Sequence, residues 1–311
     1  MGIINTMDSK SNLIEKIKEL KEKKNAVILA HSYQNIEIDE VADFVGDSLY
    51  LSQKANETDA DIIVFAGVYF MAQTAKILSP DKKVLLPRLE SGCRMADMID
   101  LEQVREFKAK HPNIPVVCYI NSTAEVKSEC DMCCTSSNAV KVVQSMNEKE
   151  ILFLPDTYLG KWVEHKLGNI KVTTYPGFCP THLQIKPKDI IEAREKYPDA
   201  LVLAHPECHH EVVKLADYVG STTGIMKYAI ESDAKRFVIA TEKGVVDRLK
   251  RDYPEKEFIL IKNSVICPNM KWHTLQDIYN ALDKEEHEIN VDEAVAKKAV
   301  ACIDRMLKAS K

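Results

Sequence analysis

The residues best suited to chemistry in this chain recur at fixed spacing. His31 and His205 stand 174 residues apart, and so do Cys93 and Cys267. The surroundings repeat as well: Leu29-Ala30-His31 matches Leu203-Ala204-His205, and Ala42-Asp43-Phe44-Val45-Gly46-Asp47-Ser48 matches Ala216-Asp217-Tyr218-Val219-Gly220-Ser221-Thr222. A middle copy lies at Val116-Val117-Cys118-Tyr119, where Tyr119 comes 88 residues after His31 and 86 before His205. From His31, Tyr119 and His205 a hydroxyl follows at 17 residues (Ser48, Ser136, Thr222) and a cysteine at 60 to 62 (Cys93, Cys179, Cys267). Self-similarity at a fixed period marks repeated supersecondary units, here about 87 residues long.

A single buried histidine or tyrosine is usually a satisfied core residue, but repetition at one spacing argues for a shared task. Two positions beyond His31, Tyr119 and His205 lie Tyr33, Asn121 and Glu207. On an extended strand end, residues two apart point the same way. Ser48, Ser136 and Thr222 occur where a turn enters a helix and read as N-caps. Helix N-termini present free N–H groups and positive dipole, which suits a ligand with carboxylates or a phosphate.

The thiols need sorting. Cys130, Cys133 and Cys134 form a local cluster, yet they align with Ala42, Val45 and Gly46, small or apolar positions in the sister copy. They therefore read as buried packing residues, with redox pairing of Cys130 and Cys133 as the alternative. Cys118 reads as mid-strand core, while Cys208 and Cys302 have no counterparts. Cys93, Cys179 and Cys267 come from distant segments. They could hold zinc, although structural zinc sites prefer four ligands with pairs close in sequence. A cubane iron–sulfur cluster is the other possibility, and three cysteines leave one iron open to act as a Lewis acid.

Within a module, short apolar runs (residues 26–30, 62–66, 116–119, 151–154, 237–240) alternate with helical segments (residues 41–55, 140–146, 244–251). Continuous apolar runs separated by helices predict buried parallel strands in right-handed βαβ units. Ligands of such sheets bind beyond the carboxyl ends of the strands, where the polar residues fall. Residues 10–24, with Leu13, Ile14, Ile17 and Leu20 at helical spacing, predict an amphipathic outer helix.

Composition narrows the function class. The chain has 311 residues, too many for one ordinary core, and its 45% hydrophobic and 29% charged content is that of a globular protein. Its 47 acidic and 42 basic residues leave a charge of -5 with no basic stripe, which argues against nucleic acid. No membrane span or signal-peptide pattern is present, so a cytoplasmic location is expected, and nine cysteines there argue for metal or catalysis rather than disulfides. Met1-Gly2 with Thr6 fits an acylation pattern short enough to arise by chance. No Gly-rich dinucleotide or P-loop run occurs.

The segments Ala30-His31-Ser32-Tyr33-Gln34, Ala42 to Ser48, Cys93-Arg94-Met95-Ala96, Tyr119-Ile120-Asn121, Thr135-Ser136-Ser137-Asn138-Ala139, His205-Pro206-Glu207-Cys208, Gly220-Ser221-Thr222-Thr223-Gly224 and Cys267-Pro268-Asn269-Met270 resemble the quinolinate synthetase A family, over residues 12 to 308. The resemblance implies an α/β fold of three homologous three-layer α/β/α domains with short parallel sheets about a pseudo-threefold axis. The domains would be residues 1–110, with the C-terminal segment packing back on them, 111–196 and 197–311. It further implies a [4Fe-4S] cluster on Cys93, Cys179 and Cys267. His31, Ser48, Tyr119, Asn121, Ser136 and Thr222 would bind substrate, and Tyr33, His205 and Glu207 would move protons. The reaction would condense iminoaspartate with dihydroxyacetone phosphate to quinolinate, losing phosphate and two waters, in de novo NAD biosynthesis. An oxidase or dehydrogenase would supply the iminoaspartate. Residues 130–134 are more thiol-rich than that family usually shows. A cluster-based oxygen sensor and a three-domain hydrolase with structural zinc are the competing classes.

Overall fold

The computed structural model describes residues 2–311, with side chains described from Lys10 onward. The Met1, Gly2 and Thr6 side chains of the acylation pattern lie outside these. The first module runs α1 (Gly2–Lys23), β1 (Ala26–His31), β2 (Phe44–Gly46), α2 (Ser48–Glu57), β3 (Ile62–Ala66), α3 (Tyr69–Leu78), β4 (Lys83–Leu85). The second runs α4 (Leu101–Ala109), β5 (Val116–Tyr119), α5 (Ala124–Ser128), β6 (Met132–Cys134), α6 (Ala139–Ser145), β7 (Glu150–Leu154), α7 (Thr157–Leu167), β8 (Lys171–Thr174). The third runs α8 (Pro187–Lys196), β9 (Leu201–Ala204), α9 (His210–Lys214), β10 (Tyr218–Val219), α10 (Thr222–Glu231), β11 (Arg236–Ala240), α11 (Lys243–Asp252), β12 (Glu257–Leu260). The helices α12 (Leu275–Lys284) and α13 (Glu293–Ser310) follow.

Each module forms its own four-stranded sheet, in the orders β2-β1-β3-β4, β6-β5-β7-β8 and β10-β9-β11-β12. Every pairing within them is parallel. The repeated aspartate of the sequence has a structural task. Asp43, Asp131 and Asp217 each sit 15 residues after a first-strand residue whose backbone N–H they accept, from Ile28 at 2.7 Å, Val116 at 2.8 Å and Val202 at 2.7 Å. Their own N–H groups return to the same residues' carbonyls at 2.9, 3.0 and 2.8 Å. This two-bond clamp fixes the register of the short second strand, which has too few residues to fix it alone.

The segment read as one helix over residues 41–55 is corrected here: it contains β2, and α2 begins only at Ser48. A three-residue edge strand carries no periodicity of its own, so its apolar residues merged with the helical pattern that follows.

Two compact units divide the chain, Met1–Gly92 with Pro268–Asp292, and Cys93–Cys267 with Glu293–Lys311. In the first unit alternate strand residues serve opposite faces: Ile28, Ala30, Ile62, Val64 and Ala66 pack on α1 and α12 through Ile14, Ile17, Ile278 and Leu282. The other face is covered by α2 and α3, which also pack on each other. In the second unit Val202, Ala204, Val238 and Ala240 pack against Ile190 of α8 and Val212 of α9. Of the segment expected to pack on the first module, residues 275–284 lie in its unit, whereas α13 packs on α5, β6 and α6 of the second module. The end of α13 is tied down by Asn138 Nδ2, which donates to Ser310 Oγ at 2.7 Å. No helix among the described residues is long and apolar enough to cross a membrane.

Candidate active site

The first sheet strand of each module carries its polar residues at or just beyond its carboxyl end, but the chain does not stay extended there. His31 and His205 open tight turns, with Gln34 N–H donating to the His31 carbonyl at 2.9 Å and Cys208 N–H to the His205 carbonyl at 3.0 Å. Inside each turn the imidazole accepts the N–H two residues on, Tyr33 N to His31 Nδ1 at 3.1 Å and Glu207 N to His205 Nδ1 at 3.3 Å. The pairing at two residues is thus made by a turn, and the acceptor role of Nδ1 assigns the proton of both rings to Nε2.

The expected N-caps are also corrected. Asp47 caps α2 by accepting Tyr50 N–H at 3.1 Å, Ser221 caps α10 by accepting Gly224 N–H, and Asn138 stands at the cap position of α6. The cap must keep extended dihedrals, as Asp47 (ψ 177°) and Ser221 (ψ 172°) do, so Ser48 and Thr222 fall at the first helical residue. Ser136 lies in the turn two residues before Asn138.

Within the second unit a buried acid–base group forms around Glu207. Tyr119 Oη donates to Glu207 Oε1 at 2.6 Å, and His182 Nδ1 lies 2.7 Å from Glu207 Oε2. His182 Nε2 is 2.8 Å from Thr241 Oγ1, its Nδ1 is 3.2 Å from Cys179 Sγ, and its ring stacks on His205 with centroids 4.6 Å apart. Burial alone would raise the Glu207 pKa, but the facing His182 and His205 rings and the bonds from His182 and Tyr119 outweigh it and hold it well below the carboxylate range. Burial lowers His205 to about 3, with Glu207 opposing, so its ring is neutral. Burial and the Glu207 charge push Tyr119 well up, against a hydrogen bond from Ser136. The result is a phenol and an imidazole on the two oxygens of one carboxylate, an arrangement able to accept and return protons. Asn121 Oδ1 is buried with no hydrogen-bond partner, an acceptor available to a ligand.

Cys93, Cys179 and Cys267 all belong to this unit. Burial, then Cys267 and Glu207, pushes the Cys93 thiol up to about 12, against the N–H groups of Ala96 and Met95. Burial, Glu207, Cys267 and Cys93 raise Cys179 well up, against the His182 N–H. These thiols therefore feel one another's charge. The groups whose ligand atoms all lie within 4.8 Å of one another are different, namely Cys179 with His182 and Glu207, and Cys118 with Cys133 and Cys302. Either could hold a metal ion. Cys133 approaches Cys302 and Cys118, rather than its sequence neighbour Cys130 in a two-thiol pair. His31, Tyr33 and Ser48 belong to the first unit, where the His31 and Tyr33 rings meet edge to face at 4.6 Å.

Sequence reasoning missed His182, Asp156, Glu242 and Thr241. His182 lies three residues after Cys179, where the other copies have Ala96 and Met270, so a comparison extended past the cysteines would have exposed it. Glu242 accepts Gly244 N–H at 2.6 Å as the cap of α11 and Cys267 N–H at 3.2 Å with its other oxygen. Asp156 plays the matching part: it caps α7 through Leu159 N–H at 2.6 Å, and the Cys179 N–H also stabilises its carboxylate. Each acid locks a cysteine's backbone to the end of the module's third strand.

Three parallel sheets in series, with thiols from widely separated turns and a buried phenol–carboxylate–imidazole group, define a triplicated α/β enzyme that combines thiol ligation with proton transfer. The sequence matches the family described as Quinolinate synthetase A protein over residues 15–308, and the chain belongs to that family of enzymes. It is 53% identical to the quinolinate synthase of Alkaliphilus metalliredigens (strain QYMF), over 96% of this chain and 99% of that one. It is 52% identical to that of Geobacter sp. (strain M21), over 94% and 95% of the two chains. With the quinolinate synthase of Caldicellulosiruptor saccharolyticus it shares 50% over 96% and 99%.

Proposed function

We propose that the chain is a quinolinate synthase of the cytoplasm, joining iminoaspartate and dihydroxyacetone phosphate to quinolinate with loss of one phosphate and two waters. The observation that carries this reading is the Tyr119–Glu207–His182 group beside Cys179, in a chain whose family match spans nearly its whole length.

The residues fit a [4Fe-4S] cluster. Cys93, Cys179 and Cys267 are electrostatically coupled, yet they are not a set within 4.8 Å, which favours a group several atoms wide over one zinc ion. When bound, such a cluster supplies one iron without a protein thiolate, a Lewis acid for polarising a C–O bond. Ionised Glu207 serves as base, taking a proton from the bound substrate, and the Tyr119 phenol on its Oε1 keeps that carboxylate oriented. Neutral His205, with its proton on Nε2, serves as acid, and Tyr33 takes a further proton-transfer step. His31, Ser48, Tyr119, Asn121, Ser136 and Thr222 hold the carboxylates and the phosphate; the unpartnered Asn121 Oδ1 supports such a role. Each step from imine and triose to the aromatic ring is a proton transfer or a C–O cleavage, within reach of these groups. An iminoaspartate-forming oxidase or dehydrogenase would supply the four-carbon substrate.

The test is quinolinate formation by anaerobically purified enzyme with reconstituted cluster. Cys93→Ser, Cys179→Ser and Cys267→Ser should each lose the broad visible cluster absorption and the product. Cys134→Ser and Cys208→Ser should keep both. Wild-type enzyme that carries the cluster and yields no quinolinate would overturn the assignment of substrates.

A further inference from the structure

Among the described residues, a second group of thiols lies apart from Cys93, Cys179 and Cys267. Cys118 of β5, Cys133 of β6 and Cys302 of α13 are fully buried, with Sγ separations of 3.3 Å (118 to 133), 3.0 Å (133 to 302) and 3.9 Å (118 to 302). These are at or below the optimum of about 3.5–4.0 Å for contacts between the smaller carbon atoms. Three protonated thiols gain little from such crowding, whereas three thiolates around one cation require it.

The triangle has the size of a metal site. A circle through the three sulfurs has a radius of about 2.0 Å, so an ion with metal–sulfur bonds of about 2.3 Å sits about 1 Å out of their plane. The charge surrounding the triangle is equally specific. Lys127 of α5 is fully buried, and its Nζ donates to the Ser122 carbonyl. Burial lowers its pKa, and Cys133, Cys118, Cys302 and Cys130 are the neighbours that oppose this, so the ammonium faces the thiols. A buried ammonium demands a compensating negative charge. Three thiolates around a divalent ion carry one net negative charge, which Lys127 neutralises; around a monovalent ion they would carry two.

We infer that Cys118, Cys133 and Cys302 form a structural site for a divalent thiophilic ion of the zinc type, neutralised by Lys127 and pinning α13 to the second sheet. Zinc fits a soft, all-sulfur donor set with no redox change. The site shares no ligand with the cysteines assigned to the cluster, and its formation requires only loss of three thiol protons to solvent as the ion binds.

The experiment is elemental analysis of the anaerobically purified, cluster-loaded full-length protein, with X-ray absorption at the zinc edge. One zinc per chain beyond the cluster iron is expected, with a sulfur shell at about 2.3 Å. Cobalt exchanged into the site should give sulfur-to-metal charge-transfer absorption. Cys302→Ser should lose the zinc and this absorption while its cluster iron stays unchanged, and Cys134→Ser should keep all three. The wild-type measurements decide the matter even if Cys302→Ser does not fold. Absence of zinc from wild-type protein grown with ample zinc overturns the inference, as does a Cys133–Cys302 disulfide in place of the metal, or equal zinc in Cys302→Ser.

Discussion

At the scale of single residues, His205 shows how burial becomes chemistry. Its ring is held neutral down to about pH 3 by burial, whereas an unfolded histidine titrates near 6.5. Its folded pKa is depressed, so its contribution to stability is complete above the unfolded value and is lost as pH falls below it. Between pH 6.5 and about 5 the unfolded state binds a proton that the native state refuses, at about 1.4 kcal/mol per pH unit. Glu207 is depressed too, but its contribution fades only below the unfolded carboxylate value of about 4.3, outside this window. Urea unfolding of cluster-free protein at pH 7, 6 and 5 should therefore show a decline that His205→Gln makes shallower by up to about 1.4 kcal/mol per unit. Equal slopes would mean that His205 is not the buried neutral group. The residues legible in the sequence were those that repeat: His31 and His205, the hydroxyls at 17 residues, the three cysteines. Those that break the repeat were not. His182 replaces an alanine and a methionine in its sister positions, and Cys302 lies on α13, outside every repeat.

Among the elements, the buried acids after the third strands of the second and third modules have two tasks at once. Glu242 caps α11 and holds the Cys267 N–H, while Asp47 caps α2 in a module whose cysteine it does not touch through any such bond. Glu242→Ala and Asp47→Ala should both cost about 1 kcal/mol in denaturant unfolding, the usual loss of a cap. Only Glu242→Ala should also speed loss of iron to a chelator, because the turn bearing Cys267 is then unanchored. Equal iron loss in both variants would reduce Glu242 to a cap. The long elements were readable because they carry a period or an unbroken apolar run: Ile62–Ala66 and Val116–Tyr119 match the predicted strands end to end. The short strands β2, β6 and β10 were hidden, since two or three residues clamped by Asp43, Asp131 and Asp217 owe their conformation to a side chain 15 residues from its partner.

For the whole molecule, the 174-residue offset revealed three similar modules, while the destinations of α12 and α13 were beyond it, because helices outside a repeat have no sister position to compare. Their destinations bear on how the chain is born. The first sheet is complete once Leu85 has been made, but the Ile28, Ile62 and Val64 face is finished by α12, whose first residue comes 190 positions later. At a synthesis rate of about 5–20 residues per second that face waits about 10–40 s on the ribosome with only α1 across it. The second sheet waits similarly for α13. Nascent chains halted with residue 267 outside the exit tunnel should therefore be cut rapidly by added protease within residues 26–85, and chains released past residue 284 should resist. Equal resistance in both would show that α1 alone suffices. Early domains that cannot close until the last tenth of translation are the ones a trigger-type chaperone must shield, so the order of helices along this chain makes its biosynthesis dependent on a holdase while leaving the finished fold unaffected.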